Sequence, residues 1–128
     1  MHGECVAAGC VAEAEVTLRL GIESALDRSK IERITACFAS YGLPVHVPRG
    51  LDLETLMRKM ALDKKNLGNS IRCTIVTDIG VSIAQPQPVP SKMMQEVMRD
   101  SMAAGVAVGP EWVPHGGHHH AAGGQMAA

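Results

Sequence analysis

The hydrophobic pattern divides the chain into four helical stretches, one extended stretch and a tail. From Cys5 to Ala12 there is no charge, and half of the positions are Ala or Gly. Val6, Cys10, Val11, Ala14 and Leu18 share one broad face at helical spacing, which predicts a first helix from about Gly3 to Leu20. Glu4 and Arg19 suit the positive and negative ends of its dipole. Gly21 is placed to stop it in a left-handed conformation that costs no Cβ clash. Small side chains let neighbouring backbones come close, so this helix asks for partners on more than one side. The chain supplies few, which raises the expectation of a partner from upstream.

Ile31, Ile34, Phe38 and Tyr41 recur at steps of three and four, predicting a second helix over Asp27 to Tyr41 with one stripe toward the core. Arg28, Lys30, Glu32 and Arg33 read as its solvated face, and Gly42 with Pro44 ends it. A third helix begins after Gly50 with Asp52 as N-cap. Leu53, Leu56, Met57 and Met60 form its stripe, and it runs out near Asp63. Alternation from Ile71 to Thr77, a turn at Asp78-Ile79-Gly80 and a β-like stretch from Val81 to Ala84 predict a short hairpin. Pro86, Pro88 and Pro90 exclude a regular helix or a central strand, so Gln85 to Pro90 reads as a stiff connector. Ser91 is expected to cap a last helix ending near Ala104, with Met94, Val97, Met98 and Met102 as its apolar set. The expected organisation is a domain over 1–90, a terminal helix over 91–108 and a disordered Gly/His-rich tail over 109–128.

Composition sharpens this to a mainly α fold. One Trp, one Tyr and one Phe leave the interior to eight Met and many Ala, which suits helices. Twelve basic against thirteen acidic residues give no basic stripe, which argues against nucleic-acid or membrane-surface binding. An anionic ligand would need a local Lys or Arg. Cys5, Cys10, Cys37 and Cys73 form no Cys-x-x-Cys pair and sit among apolar neighbours, so buried free thiols are expected. The first apolar run lacks a basic leader and passes into Glu13 and Glu15, and no membrane span is evident, so a cytoplasmic protein is expected.

Three features carry candidate chemistry. His2 stands at the lip of the first helix, where an imidazole can serve as a zinc ligand or lie loose in solvent; one His makes no metal site. Lys64 and Lys65 follow the third helix, where they can bind an anion or simply complement its carbonyl end. The run His118-His119-His120 reads as a flexible tail, because nothing near it would fix a coordination geometry. His46, between two valines, receives no role.

Four separated blocks then add a resemblance. His2-Gly3-Glu4-Cys5-Val6-Ala7 with Gly9, Glu13 and Gly21, then Tyr41-Gly42-Leu43-Pro44, then Met60-Ala61-Leu62-Asp63-Lys64-Lys65-Asn66, then Ile79-Gly80 resemble the C-terminal helical domain of 3-dehydroquinate synthase. The synthase segment of the fungal pentafunctional aromatic-pathway polypeptide is especially similar. The resemblance implies an NAD- and metal-dependent lyase of the shikimate pathway that cyclises a seven-carbon sugar-acid phosphate with loss of phosphate. It implies that His2 is a ligand of zinc or cobalt and touches substrate, and that Lys64 binds the substrate anion. It also implies a homodimer for the intact enzyme.

The departures are as specific. No Gly-rich strand–turn–helix for NAD, no Gly-His-x-x-Gly-His block and no metal-binding glutamate of the family is in the sequence, and no catalytic residue is assigned. Met1 stands where the family has an apolar residue, often Leu. The resemblance therefore implies a C-terminal piece, lacking the α/β NAD-binding domain, holding a partial metal site and inactive alone. Two other readings stay open: a different sugar phosphate cyclase of the same superfamily, and a non-catalytic helical module docking through its Met-rich last helix.

Overall fold

The structure is a computed structural model that describes residues 2–62 and 70–105. Lys64, Lys65 and the tail beyond Gly105 lie outside the described residues. Eight elements follow in order: α1 (His2–Leu20), α2 (Arg28–Ser40), α3 (Leu53–Ala61), β1 (Ser70–Cys73), β2 (Val76–Asp78), β3 (Val81–Ser82), β4 (Gln87–Pro90) and α4 (Ser91–Ala104). The fold is mainly helical, as expected.

α1 is buried around most of its circumference, through Ala7, Ala8, Val11, Ala12, Ala14, Val16 and Thr17. The buried Thr17 hydroxyl donates to the Glu13 carbonyl one turn back, 3.2 Å away, so the apolar surroundings leave no unpaired polar atom there. The first turns differ from expectation. Cys5 is exposed and Val6 is 46% exposed, because α2, α4 and β2 pack against α1 further along its length. Gly21 takes φ 67° and ends the helix, with its N–H on the Leu18 carbonyl.

α2 is capped at both ends. The Asp27 carboxylate accepts the Lys30 N–H at 2.9 Å. At the other end Gly42 adopts φ 74°, its N–H meets Ala39 O, and the Leu43 N–H reaches Phe38 O, a Schellman pattern. Ile31 packs with Ala14 and Leu26, and Ile34 lies partly buried beside them. Tyr41 does not join this stripe. It is the C-cap, just past the last helical residue, and is 78% exposed. Asp52 stands at the N-cap of α3, where its carboxylate accepts the Thr55 hydroxyl.

The extended region forms two separate antiparallel pairs, β1 with β4 and β2 with β3. The expected hairpin is β2–β3, turning at Gly80 with φ 80°. The segment from Ser70 to Cys73 instead pairs with the proline-rich stretch, which is a strand and more than a connector. Alternation of the prolines explains how. Ile71 faces Val89 and Cys73 faces Gln87, so these pairs can exchange hydrogen bonds while Pro88 and Pro90 point their missing donors outward. Pro90 also occupies the N-cap position of α4, so the helix starts at Ser91 and Ser91 is not its cap.

α4 buries Met94, Val97, Met98 and Met102. They share one core with Ala12, Val16, Val47, Ile71, Cys73, Ile75 and Val89, so the last helix closes the same interior as α1 and the strands. Its carbonyl end is held by Arg49, which donates to Ala103 O at 3.2 Å and Gly105 O at 2.6 Å. A Cβ on Gly105 would lie 3.0 Å from His46 Cβ and 3.2 Å from Val47 O. Gly105→Ala should therefore destabilise the fold by about 1–3 kcal/mol, the usual range for overpacking, read as a lower midpoint in urea unfolding. No helix among the described residues is long and apolar enough to cross a membrane.

The four thiols are free, but only Cys73 is buried; Cys10 is half-buried, and Cys5 and Cys37 are exposed. Apolar neighbours in sequence do not guarantee burial on helix ends and outer faces. Burial, aided by the charge of Glu13, pushes the Cys73 thiol up to about 11. Below the ordinary value of 9.0 the thiol is protonated both folded and unfolded. Above it only the unfolded chain ionises, so this group should erode stability as pH rises from about 9 toward 11. At about pH 8 a disulfide reagent should label Cys5 and Cys37 quickly and Cys73 only at the rate of unfolding, checked by mass mapping of labelled peptides.

Candidate functional site

His2 opens α1 and is exposed, so its imidazole is accessible to a ligand. At about 100° per residue it shares a face with Val6, Gly9 and Glu13. Glu13 lies eleven positions on, about 16 Å along the axis, and its Oε2 accepts the Thr74 N–H at 3.2 Å. The His2 face thus runs down to the loop joining β1 and β2, while His2 itself projects beyond the packed body. Among the described residues no group of three His, Cys, Asp or Glu could hold a metal ion. The chemistry of a neutral imidazole suits zinc or cobalt, yet the described residues do not by themselves make a tetrahedral site.

Lys64 follows Leu62, the C-cap of α3, and precedes β1. It lies outside the described residues, so its pairing with His2 rests on the sequence resemblance.

A cleft of about 500 Å³ opens elsewhere, between α1, α2 and α4. Its apolar walls include Val11, Ala12, Ile31 and Val97, and His46 and Ser101 also line it. Val11, its first α1 residue, is nine positions from His2, about 13 Å along the helix. Two ion pairs lie at the rim: Arg28 with Glu15, and Arg19 with Asp100 at 2.6 Å. The sequence pattern had no way to mark this cleft, since its walls come from three helices distant in the chain.

Arg28, Glu32 and Arg33 are exposed, as a solvated face requires, yet Arg28 and the half-buried Lys30 also tie elements together. Arg28 reaches α1 through Glu15, whose hydrogen bond raises the guanidinium further above its ordinary value. Lys30 Nζ lies 2.7 Å from Asp78 Oδ1 on the β2–β3 hairpin. Next to it, the Ala25 N–H donates to Thr77 O at 3.0 Å. The Lys30 ammonium and the Ile79 N–H hold the Asp78 carboxyl below its ordinary value of 3.8. A depressed carboxyl contributes stability above the unfolded value and loses it as pH falls through the folded one. Asp78→Asn should therefore flatten the acid limb of stability below about pH 4, with little change at pH 7 in its slope, read from urea midpoints across a pH series.

Comparison with known proteins gives one consistent result. Residues 1–66 match the family model described as 3-dehydroquinate synthase C-terminal, and this segment includes both His2 and Lys64. The chain is 35% identical over 98 residues to the 3-dehydroquinate synthase of Shewanella sp. (strain MR-4), covering 77% of this chain and 26% of that protein. The corresponding protein of Nostoc punctiforme is also 35% identical over 98 residues. A pentafunctional AROM polypeptide of Lodderomyces elongisporus is 39% identical over 92 residues, 62% of this chain and 6% of that one. The chain thus spans about a quarter of the length of the bacterial synthases it matches.

Proposed function

Because the chain belongs to the 3-dehydroquinate synthase C-terminal family, we propose that it supplies part of the helical half of a 3-dehydroquinate synthase. The observation that carries this reading is the match over residues 1–66, which spans α1, α2, α3 and the Asp63-Lys64-Lys65-Asn66 block in one run. When bound in an assembled synthase, NAD would supply hydride transfer at the carbon bearing one ring hydroxyl of the seven-carbon sugar-acid phosphate, and a divalent metal would supply polarisation of that hydroxyl's oxygen. His2 would hold that metal through one imidazole nitrogen and would be within reach of the bound substrate. Lys64 contributes a point charge on a flexible stem, suited to the substrate phosphate or carboxylate. The remaining metal ligands and the nucleotide-binding surface belong to the rest of a synthase, so this chain alone is expected to show neither turnover nor tight NAD binding.

Homodimerisation of the intact enzyme and a cytoplasmic location belong to the same proposal. Four free thiols support the second, since disulfides are rare in reducing compartments. The docking-module reading loses its main support, because Met94, Met98 and Met102 are core residues. The matched relatives carry synthase or AROM names, which favours this substrate over that of another sugar phosphate cyclase.

The experiment is a chimera in which this chain replaces the matching quarter of the Shewanella protein. It should cyclise the sugar-acid phosphate with NAD and metal. Lys64→Ala in that chimera should raise KM roughly 10–100-fold, as expected for losing a charged hydrogen bond, with a smaller change in kcat. An unchanged KM would remove Lys64 from the substrate site.

A further inference from the structure

We draw no further inference here: the strongest candidate, the cleft of about 500 Å³ between α1, α2 and α4, has apolar walls and a rim of already paired charges, and nothing in the structure shows what covers it.

Discussion

In the chimera, replacing the proposed metal ligand His2 by Ala should lower turnover by at least about 100-fold, because even groups that merely orient metal ligands are worth 10–100-fold. The argument separates chemistry from folding. His2 is exposed on the first turn of α1, ahead of the first buried residue, Ala7. Its removal opens no cavity and leaves no buried polar partner. Stability should therefore change by no more than about 0.5 kcal/mol, the usual limit for surface positions. Compared metal-free, a chimera carrying His2→Ala should melt where its parent melts, and with metal added it should still fail in the cyclisation assay. Equal loss of melting temperature and activity would instead mark His2 as structural.

The largest loss of stability is expected at Ile75. It is 1% exposed and belongs to the same buried core as Val16 of α1, Val89 of β4 and Val97 of α4. Its carbonyl also accepts the Ile83 N–H at 2.9 Å, so the hairpin is anchored at the same point. Truncation to Ala removes three carbons from a site that cannot collapse easily, which costs about 2–5 kcal/mol. Against a total of roughly 5–15 kcal/mol for a domain, that leaves little margin. The melting temperature should fall by roughly 10–30 °C, followed by far-UV circular dichroism. Val81, 53% exposed on the hairpin, provides the contrast: Val81→Ala should stay within about 0.5 kcal/mol. Equal effects at both positions would mean that the core lies elsewhere.

The helices were legible because their signals are local. Spacing of Ile31, Ile34 and Phe38 and the glycines at 21 and 42 placed α1 and α2 to within a residue or two. The Met stripe of α4 was equally plain. Strand pairing was not, since it joins residues 14 to 20 positions apart: nothing in Ser70–Cys73 says that its partner is Gln87–Pro90 and not the adjacent β2. Burial at helix ends was misread for a similar reason. Val6 and Tyr41 are in phase with their helical stripes and Cys5 sits among apolar neighbours, but no other described element reaches far enough to cover them. The candidate site depended on family likeness throughout, because one imidazole and one lysine carry no spacing signal of their own. The cleft lined by Arg19, Arg28 and His46 left no trace in the sequence, since only folding brings those residues together.

The account rests on His2 holding metal. The direct measurement is the visible absorption of the cobalt-loaded chimera, with and without His2→Ala, together with its metal content. The parent should show the ligand-field bands of a nitrogen- and oxygen-bound cobalt ion at one equivalent per site. The variant should lose those bands and most of the cobalt. An unaltered spectrum at full cobalt occupancy in His2→Ala would show that this imidazole is no ligand.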